Sequence, residues 1–382
     1  MSNNNTEEEV ETTTTNNDDA DAAVTTSSSC PPHSNWSKDK LTGKSVSFKG
    51  LPIGSGSDNS GNSGGRTSLL KRRSSKQAMA ATPMEDGIHP QLWGRPGHLT
   101  DAEADVYLAF KDVVDMRGGD FKNTVYCFGE EEGEVYALCR WCRARKYIFE
   151  DIMMMVEEAT KCRSDAMIAE FYPDPKSALG CDTALYSAQY PQVYSGFAKN
   201  GSPLYFSKVG CLDVEAIECI TTVSSIVEYH WHVMMHDFAT RLRSHKKNDP
   251  QFNKFECVVV MDLANLTMSQ LGSKSLSIVK EQSAIDSLCF PETLNKMYII
   301  NSPLFFSATW SIIKGWLDPR TANKVEVISS RKTWEKALLE YADADQLPSD
   351  YGGTGPNTQD TIEKETFTGK LKRMHSEMLY VR

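Results

Sequence analysis

Hydropathy divides the chain into regimes. Residues 1 to about 85 are rich in Asn, Thr, Ser and Gly, with "GSGSDNSGNSGG" near their middle. So polar a segment cannot bury enough apolar surface to offset its ordering entropy, and it predicts a disordered low-complexity tail over residues 1–99. Thr100 and Asp101 form a helix-start signal ahead of "AEADVYLAFKDVVDM", where apolar residues recur at helical spacing. "GEVYALCRWCRARKYIFEDIMMMVEEATKCRSD" (Gly133–Asp165) predicts two further helices. The pattern then changes. "PLYFSKVG", "FECVVVMDL", "KMYIINSP" and "KVEVIS" are apolar runs of strand length. Between them lie helical stretches, "AIECITTVSSIVEYHWHVMMHDFATRL" and "SLSIVKEQSAI". Strands alternating with helices predict an α/β fold with a mostly parallel sheet. From Asn357 to the end the chain is polar again.

One stretch stands apart. "FPETLNKMYIINSPLFFSATWSIIKGWLDPRTANKV" (Phe290–Val325) reads as a buried strand, a loop, an unusually apolar helix and a second helix start at Asp318-Pro319. The apolar helix carries Phe305, Phe306, Trp310, Ile312, Ile313 and Trp316 beside a charged turn.

Composition narrows the function classes. With 382 residues and 40% hydrophobic content, a sizeable core is possible. A formal net charge of -10 argues against bulk nucleic-acid binding, which needs a basic face. The N-terminus lacks a basic n-region and an apolar h-region, so no secretory signal is expected. No apolar run approaches the ~20 residues that span a bilayer. The ten scattered cysteines are read as reduced thiols in a cytosolic setting. The basic residues of "LLKRRSSKQ" precede Ser74 and Ser75, as in a basophilic-kinase site or a weak patch for anionic lipid. The plainer reading, a solvated tail, is preferred.

Several motifs carry candidate chemistry. Cys139 and Cys142 stand in a C-x-x-C spacing, and Cys139 with Arg145 in the C-x5-R spacing of cysteine phosphatases. Zinc would need a second close pair, and phosphate cradling would need small or Gly residues. "CRWCRAR" supplies neither and reads as helix, so both thiols are expected on helix faces. His232 and His236, four apart, share a helix face able to bind metal, with His230 nearby. No Glu completes the metalloprotease pattern, and surface histidines on a half-buried helix are preferred. "RARK" (Arg143–Lys146) suits an exposed helix end. In "WLDPRTANK", free N–H groups at a helix start, the Thr321 hydroxyl and the Lys324 ammonium form a candidate phosphate site. An amphiphile with a phosphate head and apolar tails would satisfy both this site and the apolar helix.

Taken together, "CRWCRARKY", "YPQVYSGFAKNGSPLYF", "VVVMDL", the Phe290–Val325 stretch and "LPSDYGGTGP" resemble the CRAL-TRIO family of lipid-binding domains. The likeness is to the yeast phosphatidylinositol-transfer type and covers roughly Glu103–Pro356. It implies a helical N-terminal lobe over 100–165, a lipid-binding lobe over 166–356 and a C-terminal tail over 357–382. A mostly parallel sheet would floor an apolar lipid pocket, and a gating helix at about Phe305–Trp316 would cover it.

The resemblance further implies a non-enzymatic lipid-binding and transfer protein with no cofactor or metal. Phosphatidylinositol or another membrane lipid would be its ligand, and a membrane surface its transient partner. A sensor or scaffold that presents lipid to a lipid kinase is the alternative. The headgroup positions of phosphatidylinositol binders match Arg145, Glu292, Thr321 and Lys324, with Lys146 as a weaker candidate. Two aromatic positions of the family's phosphatidylcholine site match Tyr194 and Tyr205. The Ser and Thr of that site are replaced by Cys257 and Val259, which are poor phosphate donors. This departure speaks against phosphatidylcholine and leaves room for a sterol or another hydrophobe as second ligand.

Overall fold

The computed structural model describes residues 38–42 and 92–360. Ser74 and Ser75, most of the N-terminal tail and residues 361–382 lie outside the described residues.

Within the predicted tail, the short helix α1 (Lys38–Thr42) places Leu41 fully in the core, against α2 (Asp101–Arg117). Residues 92–99 are also ordered, and Leu99 is buried. The expected tail therefore includes packed pieces. Isolated apolar residues such as Leu41 carry no periodicity that would announce them.

α2 begins where expected. Thr100 and Glu103 exchange hydrogen bonds with each other's backbone in a capping box. Ala104, Tyr107, Phe110 and Val114 form its buried stripe. α3 (Gly119–Val125), α4 (Glu134–Ala144) and α5 (Phe149–Ile168) complete a helical bundle. α4 is its axis, with Leu138, Trp141 and Cys142 all fully enclosed. Cys139 and Cys142 are therefore core side chains, and burial pushes the Cys139 thiol up to about 12.

α6 (Pro175–Leu179) and α7 (Thr183–Gln189) lead into the sheet. The five strands run in the order β1 (Gln192–Phe197), β2 (Pro203–Ser207), β3 (Cys257–Asp262), β4 (Leu294–Ile300) and β5 (Val325–Ile328). All neighbours are parallel except β1, which pairs antiparallel with β2. Hydropathy alone did not mark β1 as a strand. Its register slips between Tyr194 and Phe197, and Gly196 sits there at φ +72°. A Cβ at Gly196 would lie 2.0 Å from the Gln346 carbonyl oxygen, so only glycine fits.

The helical run expected between β2 and β3 is broken into pieces. α8 (Val214–Ile220) ends before Thr222, whose hydroxyl accepts from the Ser225 N–H and starts α9 (Val223–His232). A π turn (Val233–Phe238) then leads into α10 (Ala239–Asn248). α11 (Ser273–Cys289), α12 (Phe306–Lys314), α13 (Pro319–Asn323) and α14 (Arg331–Tyr341) follow. Thr358, assigned to the polar C-terminal tail, is buried, and its N–H donates to Asp350 at 3.1 Å.

Strand alternation gives the sheet two different faces. Val193, Leu204, Phe206, Val258, Val260, Tyr298 and Ile300 pack against Trp334 and Leu338 of α14 as a dry core. The opposite residues look onto a cavity.

Candidate functional site

The cavity has a volume of about 1060 Å³. That lies at the top of the ~300–1,000 Å³ typical of ligand pockets. Its floor is the second sheet face. Tyr194, Tyr205, Val259 and Met297 lie side by side across four strands. The Tyr194 and Tyr205 rings stand 4.8 Å apart, and Arg241 lies 4.4 Å from the Tyr194 ring centre. Cys257 also lines the floor, but its thiol contacts the Pro203 carbonyl oxygen at 3.4 Å.

α12 borders the cavity. Phe306, Trp310 and Ile313, at helical spacing, line it, as does Trp316 just beyond the helix. Phe306 anchors the helix among Leu263, Leu266 and Ile299. Phe305, expected among the closing residues, is not among the lining side chains and is 42% exposed. Outward, Ile312 is 54% exposed among Ser307, Ser311 and Lys314, and Leu304, just before the helix, is 95% exposed. Sequence alone could not say which residues face in.

One wall is charged. Arg145, Lys146, Glu292, Thr321 and Lys324 all line it. Glu292 accepts from Lys324 Nζ at 3.3 Å, and its carboxylate also pairs with Arg143 at 3.1 Å and Arg320 at 3.8 Å. Burial pushes the Glu292 carboxyl up, but Arg143, Lys324 and Arg320 outweigh it and bring it down to about 2. Glu292 sits at φ +60° and Lys146 at φ +52°, left-handed conformations that cost a non-glycine residue free energy.

Arg320 donates to the Arg143 and Ala144 carbonyls at 2.7 and 3.1 Å, closing the C-terminus of α4. Arg143 and Arg320 were thus missed as members of the site. Arg143 stood in the "RARK" run, taken for an exposed helix end. Its α4 neighbours Cys139 and Cys142 were the available sign that it faces inward.

The helix start at α13 differs from expectation. Pro319 has no N–H, and the Arg320 N–H is taken by the Asp318 carboxylate at 2.8 Å. The cap itself occupies what was expected to be free for phosphate. Other groups are less committed. Among the described residues, no carboxylate forms an ion pair with Arg145 or Lys146, and the Thr321 hydroxyl has no hydrogen-bond partner. Burial lowers the Arg145 pKa, with Asp318 and Asp151 pulling the other way. A half-buried cation of this kind gains from an incoming anion.

The three histidines are spent on structure. His230 bonds Asp286 at 2.7 Å, His232 donates to the Tyr172 carbonyl at 2.8 Å and His236 to the Glu170 carbonyl at 2.9 Å. His232 is buried, unlike the surface residue expected. Among the described residues, no group of His, Cys, Asp or Glu could hold a metal ion. Nor is any described helix long and apolar enough to cross a membrane.

The family description of the CRAL/TRIO domain matches residues 187–353. A CRAL-TRIO domain-containing protein of Saccharomyces cerevisiae is 29% identical over 272 residues, spanning 69% of this chain and 81% of that protein. The Sec14 cytosolic factor of Schizosaccharomyces pombe is 27% identical over 267 residues, or 68% of this chain and 85% of its own. A phosphatidylinositol/phosphatidylcholine transfer protein of Arabidopsis thaliana is 26% identical over 224 residues, covering 58% of this chain but 37% of that protein. The crystal structure of Sfh5 shares the fold, with a TM-score of 0.50 at 17% identity over 68% of this chain and 91% of that one.

Proposed function

We propose that the chain is a lipid-binding and transfer protein of the CRAL-TRIO kind whose ligand is phosphatidylinositol, extracted from one membrane and released to another. The acyl chains lie over the floor of Tyr194, Tyr205, Cys257 and Val259, beneath the lid of Phe306, Trp310, Ile313 and Trp316. Each buried CH₂ contributes about 0.8 kcal/mol, so an enclosed cavity offsets removal from the bilayer better than a shallow groove. The phosphodiester sits against Arg145, Lys146 and the Thr321 hydroxyl. Glu292 and Lys324, locked by Arg143 and Arg320, hold the wall in place beside the inositol.

The single observation behind this reading is that Arg145, Lys146 and Thr321 line the charged side of an otherwise apolar cavity with no carboxylate of the described residues paired to either cation. Exchange proceeds by α12 swinging outward, its exposed Leu304, Phe305 and Ile312 entering the interface. The protein is placed in the cytoplasm, touching membranes transiently.

Native mass spectrometry of the protein from eukaryotic cells, with identification of extracted lipids, tests the proposal. One phosphatidylinositol per chain is expected. A sterol or another hydrophobe alone would keep the cavity and overturn the ligand.

A further inference from the structure

Lipid binding leaves one chemical feature of the helical bundle unused. Arg163 of α5 is 2% exposed, yet its Nε and Nη1 have no hydrogen-bond partner. Nη2 reaches the Met235 sulfur at 3.7 Å. The guanidinium otherwise faces the rings of Phe171 and Phe290, at 4.8 and 5.3 Å. The groups around it that can become anions are Cys127, Cys162 and Cys289. A buried cation without a counter-charge is costly, and a nearby thiolate relieves that cost.

Two of these thiols meet. Cys289 is the last residue of α11, and its Sγ lies 4.0 Å from the Ala159 carbonyl of α5. Cys162 stands three residues beyond Ala159, on the same face of α5. Cys162 and Cys289 therefore flank the same Ala159 carbonyl, which brings the two thiols to one spot on α5. Cys289 is buried, whereas Cys162 is exposed. Contact with Cys289 lowers the Cys162 thiol, burial opposes it and Arg163 adds to it, leaving the group at about 7. The same contact, together with burial, pushes Cys289 up. An accessible sulfur that readily becomes thiolate, beside a shielded thiol, has the disposition of an attacking and a resolving cysteine.

We propose that Cys162 and Cys289 form an oxidation site, at which a hydroperoxide converts the pair into a disulfide joining α5 to the end of α11. The Cys162 thiolate attacks hydrogen peroxide. An S–O bond forms, the O–O bond breaks, and hydroxide leaves to take up the thiol proton as water. The Cys289 thiol then gives up its proton and attacks the sulfenic sulfur. The S–S bond forms, the S–O bond breaks, and a second water departs. Two thiols are oxidised by two electrons while one peroxide is reduced to two waters. Since α11 lines the cavity through Ile278, Gln282 and Asp286, the bond fastens a cavity wall to the helical bundle.

The test is peptide mapping of the full-length protein under non-reducing conditions after stoichiometric hydrogen peroxide. A Cys162–Cys289 linked peptide is expected, lost on dithiothreitol treatment and absent from Cys162→Ser. That variant changes an exposed side chain and retains the fold. In Cys289→Ala the reaction is expected to stop at a sulfenic acid on Cys162, trapped by dimedone. Oxidation falling equally on Cys211 and Cys219, or Cys162 driven to sulfinic acid while Cys289 stays free, overturns the proposal. The linked peptide is read whether or not phosphatidylinositol is bound, so its failure is distinct from failure of the lipid assignment.

Discussion

The charged wall of the cavity has two halves that sequence treats alike and structure does not. In one half, the single carboxylate of Glu292 is shared among Arg143, Lys324 and Arg320, so each of these cations has an ion-pair partner inside the protein. In the other, Arg145, Lys146 and Thr321 line the same wall without such partners. The first half is scaffold, and the second is the half proposed to meet the ligand. Residues of one chemical type in one short segment can thus have opposite energetic roles. Removing a scaffold charge strands its partners in a low-dielectric setting, whereas removing an uncommitted cation strands nothing.

Four measurements press on that difference, from the largest expected effect to the smallest. Glu292→Ala removes the carboxylate that Arg143, Lys324 and Arg320 share and should cost about 3–5 kcal/mol, read as a lowered urea midpoint at neutral pH. A wild-type midpoint in this variant would mean that the network is not scaffold.

Acid should act through the same carboxylate. Its folded pKa is depressed to about 2, below the ordinary value of 4.5. Its contribution is therefore fully present above the unfolded pKa and lost as pH falls from about 5 towards 2, roughly 3 kcal/mol in all. Urea unfolding across that range should show the loss in wild type and a shallower one in Glu292→Gln. Parallel curves would remove Glu292 from the account.

On the uncommitted half, Arg145→Ala with Thr321→Asp should weaken phosphatidylinositol binding by roughly 10- to 100-fold, equivalent to about 1.5–3 kcal/mol for charge-assisted contacts. Unfolding should shift by no more than about 1 kcal/mol, because neither side chain compensates a buried charge. Undiminished binding by this well-folded variant would falsify the headgroup assignment.

The smallest effect belongs to the outer face of α12. Ile312→Asp should slow transfer between vesicles several-fold, because a charge resists entry into the bilayer. Lipid occupancy should stay unchanged. Trp316→Asp instead places the carboxylate on the cavity lining and should lower occupancy as well. Equal behaviour of the two variants would erase the distinction between the faces of the lid.

Much of this was written in the chain. The helix start at Thr100-Asp101, the apolar strands around "VVVMDL" and the helix start at Asp318-Pro319 follow from local propensity and spacing, which act over a few residues. Family likeness located Arg145, Glu292, Thr321 and Lys324, because those motifs are specific in combination. β1 escaped, since its slipped register and Gly196 answer to the Gln346 carbonyl, far along the chain. Leu41 escaped for the same kind of reason.

Sequence by itself therefore determined the succession of helices and strands, the parallel sheet and an apolar helix beside charged residues. Those depend on periodicity, which the chain displays directly. Tertiary structure alone decided that Arg143 and Arg320 close on Glu292, that Phe305 turns away while Phe306 turns in, and that Cys162 meets Cys289. Each of those choices depends on which distant element supplies the counter-charge, the apolar wall or the second thiol, and no local pattern encodes that partner.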